Sequence, residues 1–252
     1  MTQLADVGGL AILLVRPGML VIATPFFGAV SAPAILRVGL TVLIALMLAP
    51  VIAMPAPLPA AALVAAVLRE VAIGLSLGLA IRVLVFGAEF AGQFAGYSIG
   101  LSAGSLIDPQ SGVRNNTLAI LYANLIVLVG FAGNVHHRLI TALADSYAAL
   151  PIGIGGVDAN LGGHVASMLG LVFVIGVRLA APVIVVLLVV ELALGLVGRV
   201  APSLNVMMSG APLRLAIGLL VVAATVSAVP QVVSHYFPRA LELAAATAQS
   251  FK

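Results

Sequence analysis

No cysteine occurs in these 252 residues, which excludes disulfides, thiolate metal sites and cysteine nucleophiles. Tryptophan is absent too, and tyrosine is confined to Tyr97, Tyr122, Tyr147 and Tyr236, so the aromatic belts that mark membrane–water interfaces are faint. Lysine occurs once, at Lys252; with the arginines scattered and a net charge of only +3, no basic run forms a nucleic-acid footprint, and DNA and RNA are excluded as partners. That solitary lysine also excludes a P-loop nucleotidase, and neither a Gly-x-Ser-x-Gly elbow nor a His-Glu-x-x-His pair is present. Charged residues make up just 8% of the chain.

What remains is oil-like. The chain is 63% apolar, with a mean hydropathy of +1.27, far outside the soluble range. Six apolar segments can be marked, at about 4–30, 38–54, 60–90, 117–135, 164–198 and 213–232. The expected fold class is all-α, a set of membrane-type helical hairpins with kinked or broken helices. Arg16, Pro17 and Pro25 break or kink the first segment, Pro50 and the Pro55–Pro59 run end the second, and Pro182 kinks the fifth. The N-terminus lacks the positive n-region of a cleavable signal, so its first segment is expected to be retained. Arginines divide almost evenly between alternate connections, so no orientation can be read.

The few charges sit inside the apolar segments rather than between them. Glu70, Arg82, Glu89, Arg178 and Glu191 would each cost about 2.5 to 3.5 kcal/mol at a helix centre facing lipid, roughly 12 to 18 kcal/mol together. Such groups are expected against protein or a watery path. Glu70, Gly74, Gly78 and Arg82 recur every four residues, a glycine groove on one helix face bounded by opposite charges. A packing seam is the favoured reading there, over a proton-carrying Glu70. Glu191, Gly195 and Arg199 repeat the spacing. Gly92, Gly96, Gly100 and Gly104 form a longer ladder, read either as tight packing or as a mobile gate element. His136 and His137 are adjacent and diverge by about 100° on a helix, which opposes chelation of one metal. No metal, cofactor or catalytic residue is expected.

Taken together, particular strings resemble a known family: Arg16, Pro25-Phe-Phe-Gly28, Pro33, Arg37 and Pro50; Arg69-Glu70-Val-Ala-Ile-Gly74-Leu-Ser-Leu-Gly78; Ala91-Gly92-Gln93; Gly100-Leu101 and Asp108-Pro109-Gln110; Ser146 with Leu150-Pro151-Ile-Gly153; Pro182; Gly195; Arg199-Val-Ala-Pro202-Ser-Leu-Asn205; and Pro212-Leu-Arg214. In order and spacing they resemble the flagellar biosynthetic protein FliR family, the R subunit of the type III secretion export gate, with counterparts in virulence injectisomes. Two departures are Asn134-Val135-His136-His137, where that family usually has an Asn-Gly-His turn, and Ala211, where an aromatic is common.

The resemblance implies a non-enzymatic core subunit that joins P- and Q-type subunits. One R subunit would close a helical ring around a channel for unfolded protein substrates, next to the large A and B export components and among membrane lipids. It implies a bacterial inner (plasma) membrane location, in a flagellar basal body or injectisome base, with flagellar use preferred because the chain ends soon after the sixth segment. Residues 1–160 would be P-subunit-like hairpins with a gate or plug at about 97–114, and residues 161–252 a Q-subunit-like hairpin and C-terminal tail. The expected gate or plug residues are Tyr97, Gly100, Leu101, Gly104, Leu106, Ile107, Asp108 and Pro109. Arg69, Glu70, Gly74, Gly78, Arg82, Glu89, Arg178, Glu191 and Arg199 are expected in intersubunit or interhelix seams. The rival readings are a stand-alone proton-coupled small-solute transporter using Glu70 or Glu191, and, behind it, an intramembrane enzyme.

Overall fold

The computed structural model describes residues 7–27, 33–52, 59–101, 117–153, 155–201 and 206–252. Among them all regular structure is helical: α1 (Val7–Ala23), α2 (Ala34–Leu48), α3 (Ala60–Ile99), α4 (Thr117–Ala132), α5 (Val135–Ala149), α6 (Leu161–Val200), α7 (Val206–Thr225), a 3-10 turn at Val226–Ala228, and α8 (Val229–Gln249). The all-α expectation holds. Three stretches, Ala60–Ile99, Leu161–Val200 and Gly210–Gln249, are long and apolar enough to cross a membrane, and the bent pair α4–α5 makes up to a fourth. At 1.5 Å per residue, the 40 residues of α3 or α6 run roughly 60 Å, twice a hydrocarbon core of about 30 Å. Helices α1 and α2, at 17 and 15 residues, fall short of one crossing.

Two differences from the segment reading matter. Residues 135–149 and 233–249 are helix, not connection and tail. Both α5 and α8 are amphipathic, so a search for unbroken apolar runs passes over them. In α5 the buried positions Val135, Leu139, Leu143, Ser146 and Tyr147 recur at three- and four-residue steps, the mark of one buried helix face. The break between α4 and α5 is set by Asn134, whose φ of 55° is left-handed, a conformation asparagine tolerates better than most residues.

The chain forms two compact units. The first contains residues 1–83, 130–170 and 236–252. Its core joins Ile12, Leu13, Leu20 and Val21 of α1 to Ile44 and Ala45 of α2, Leu77 of α3, and Leu143 and Tyr147 of α5. The second contains residues 84–129 and 171–235. There a Cβ on Gly87 would lie 2.7 Å from the Ile175 side chain, and one on Gly92 2.5 Å from the Leu118 carbonyl oxygen, so glycine lets α3 approach α6 and α4 backbone to backbone. Also in this unit, Tyr122 and Thr225 share a buried hydrogen bond. Thr225 gives its own proton to the Val222 carbonyl, so Tyr122 is the donor.

Candidate functional site

The residues singled out at four-residue steps on α3 meet one partner, α1. Glu70 and Arg16 are both fully buried, and Arg16 grips the carboxylate with two prongs, Nε to Oε2 at 2.7 Å and Nη2 to Oε1 at 2.8 Å. Bidentate geometry of this kind is the strong form of an arginine–carboxylate pair. Arg16 then spends two further N–H groups on α5: Nη1 donates to Ser146 Oγ at 2.9 Å and Nη2 to the Leu150 carbonyl at 2.9 Å. Leu150 is the C-cap of α5, where a helix carries unsatisfied carbonyls and favours a cation. The guanidinium also lies 4.0 Å from the centre of the Tyr147 ring.

One turn on, a Cβ at Gly74 would sit 2.6 Å from the Arg16 carbonyl oxygen and 2.9 Å from Met19 Cβ; one at Gly78 would collide with Ala23 Cβ. Another turn on, Arg82 Nε donates to the Ala23 carbonyl at 2.6 Å, capping the last carbonyl of α1. The groove therefore holds α1 from Arg16 to Ala23, charge at each end and glycine between.

Proline 17 completes this docking. It has no N–H, so the Leu13 carbonyl four residues back loses its helical donor. Tyr147 Oη supplies one from α5, at 3.3 Å.

Beside the groove, Arg69 Nε donates to the Phe251 carbonyl at 2.5 Å and Nη1 to the Pro151 carbonyl at 2.7 Å. The 155–158 loop pairs with residues 250–252, Gly156 N to Lys252 O at 2.9 Å and Asp158 N to Ser250 O at 2.7 Å. Glu89 is half-buried. Arg178 and Arg199 lie exposed on α6, and Glu191, also exposed, faces Arg214 of α7 at 3.8 Å. A Cβ on Gly195 would meet nothing within 4 Å, unlike one on Gly74 or Gly78.

Of the expected gate residues, Gly104, Leu106, Ile107, Asp108 and Pro109 lie outside the described residues. Tyr97 and Leu101 are exposed. Gly100, at φ 91°, ends α3: its N–H reaches the Tyr97 carbonyl at 3.1 Å and the Leu101 N–H the Gly96 carbonyl at 3.0 Å, the paired closure of a Schellman motif.

The seam's far partners were not assigned from sequence. Arg16, Ser146 and Leu150 stood among the strings of the resemblance without a role. The usable signal was physical: an arginine inside an apolar segment needs an acid, and the sequence offers Glu70, Glu89 and Glu191 inside such segments without saying which one it meets.

Comparison with known proteins identifies relatives of this chain. The chain is 31% identical over 141 residues to the flagellar biosynthetic protein FliR of Pectobacterium carotovorum subsp. carotovorum, covering 56% of this chain and 54% of the relative. It is 33% identical over 144 residues to the FliR of Escherichia coli, covering 57% and 55%. It is also 27% identical over 118 residues to the Yop proteins translocation protein T of Yersinia pestis, covering 46% and 45%. The chain thus spans about half the length of the curated relatives it matches. The family model of the bacterial export proteins, family 1, matches residues 7–240, and the chain belongs to that family.

Proposed function

We propose that this chain is a core, non-enzymatic subunit of a type III export gate in a bacterial inner membrane, forming with P- and Q-type subunits a gated channel for unfolded polypeptides. The observation that carries the reading is the surface of α6. Phe173, Val177, Leu188, Leu192 and Leu196 are all more than half exposed, and Arg178, Glu191 and Arg199 lie exposed on the same helix. At the middle of a bilayer an exposed charge carries a penalty of about 2.5 to 3.5 kcal/mol; Glu191 meets Arg214 within the chain, and polar groups of partner helices would remove the penalty on the sides of these groups that stay exposed. The buried pairing of Glu70 with Arg16 weighs against a proton relay there, and so against the transporter reading.

In this reading the end of α3, from Tyr97 through Leu101, leads the chain toward the channel axis, and residues up to Pro109 form the constriction. Large A and B components dock on the same assembly. Native co-purification in mild detergent tests the proposal: P- and Q-type subunits are expected to elute with the chain, and a solitary monodisperse chain overturns it. Secretion of flagellar or effector substrates, lost on deletion of the chain and restored by its return, tests the channel role.

A further inference from the structure

The first unit holds a feature that the export reading does not use. A groove of about 350 Å³ opens between α5 and α8, with Leu77 of α3 at its floor. On α5, Arg138, Ala142, Asp145 and Ala149 follow one another at four-, three- and four-residue steps, so a single stripe faces the groove. On α8, Leu241, Ala245 and Ala248 do the same, with Glu242 at the edge. Alanines on both walls keep the helices from filling the space, and the charged side chains, Arg138, Asp145 and Glu242, are exposed. Arg138 is steadied at the rim by the Phe237 ring, 5.3 Å from its guanidinium.

The lining, apolar within and charged with both signs at the rim, selects the occupant. An extended peptide would bring N–H and C=O groups at every residue that demand partners, and between the rim charges the lining offers only Gln249 and Ser146, whose hydroxyl is already engaged by Arg16 and the Leu143 carbonyl. An acyl chain has no such demand, and at roughly 30 Å³ per water-sized group about a dozen of its carbons fit. The rim then asks for a headgroup of both signs: an anion for one guanidinium and a hydrogen-bonding cation for two carboxylates. A phosphodiester next to a primary ammonium answers both. A quaternary choline has no N–H to donate, and a glycerol headgroup leaves its phosphate facing two acids.

We propose that this groove is a lipid site selective for phosphatidylethanolamine, with an acyl chain over Leu77, Ala142 and Ala245, the phosphodiester on Arg138 and the ammonium between Asp145 and Glu242. Ser146 and Leu150 line the groove and also hold Arg16, so a bound lipid would brace the wall of α5 against which α1 is locked.

The test is lipid retention. The full chain, with whatever companions stay on it, is purified in mild detergent from membranes containing phosphatidylethanolamine and phosphatidylglycerol, and its bound lipid is measured by native mass spectrometry. Wild type is expected to retain phosphatidylethanolamine about tenfold over phosphatidylglycerol, the scale of one charge-assisted hydrogen bond. Asp145→Asn with Glu242→Gln is expected to abolish that preference while lipid stays bound; these exposed rim changes leave the core alone. Ala142→Phe is expected to lower total retained lipid several-fold. Equal retention of the two lipids by wild type, or a preference unchanged in the rim double variant, overturns the site. A photoreactive side chain at Ala245 that captures a polypeptide instead of lipid overturns it as well, and makes the groove a partner's seat.

Discussion

Arg16 has five N–H donors, and four of them are engaged by Glu70, Ser146 and the Leu150 carbonyl. Removing one member of such a pair strands the other without water. Glu70→Ala is therefore expected to lower unfolding stability by about 3 to 5 kcal/mol, whereas Arg16→Met with Glu70→Leu should recover much of the loss, because no charge is then left buried. Thermal unfolding in detergent reads both; equal losses in the single and double variants would show the pair is not closed in solution. A second residue-level test follows from Pro17. Because the Leu13 carbonyl relies on Tyr147, Tyr147→Phe should cost about 1 kcal/mol in the native sequence. In a Pro17→Ala background, where residue 17 regains its N–H, the same change should cost little, and a double-mutant cycle measures the difference.

Glycines at the same four-residue spacing do different work in different elements. Gly74 and Gly78 lie against the backbone and Cβ atoms of α1, while the space around Gly195 is open within this chain. Gly74→Ala is expected to push α1 off its seat at a loss of about 1 to 3 kcal/mol, the usual penalty of overpacking. Gly195→Leu should leave the chain's own stability unchanged and reduce only its recovery with partner subunits; a matching loss of stability would show that Gly195 is packed within the chain instead. Gly100→Ala meets no atom but must hold φ near 91°, so a loss of about 1 to 2 kcal/mol from left-handed strain is expected. Of the elements themselves, the long apolar helices were legible because their runs are unbroken. Helices α5 and α8 were not, although their buried residues, such as Val232, Val233, Tyr236, Phe237, Ala240 and Ala244 in α8, keep a helical period. Hydropathy averaged along the chain erases that pattern, and a reading by period recovers it. The glycine ladder of α3 looked uniform in sequence, yet Gly92 packs against α4 and Gly100 ends the helix; spacing alone does not encode where a helix stops.

At the scale of the whole molecule, the sequence announced buried charge but not which charges are buried by the chain itself. Arg16 and Glu70 come together across 54 residues, a pairing that only the fold supplies, whereas Arg178, Glu191 and Arg199 remain exposed. The two environments that could cover these exposed groups predict opposite signs for the same substitution. If α6 faces lipid, removing a charge relieves a penalty that reaches about 2.5 to 3.5 kcal/mol at the bilayer centre, so Arg199→Leu or Arg199→Met should raise the yield and stability of the chain. If α6 faces partner subunits, the same substitutions strand a polar group on the other side of the seam. Recovery of the assembly should then fall by about tenfold or more for a loss of at least 1.4 kcal/mol, with the isolated chain unaffected. Quantifying the chain alone and the chain with its companions, from the same membranes, separates the two. A rise in chain yield with undiminished assembly would mean that α6 is a lipid-facing surface and that the proposed seam lies elsewhere.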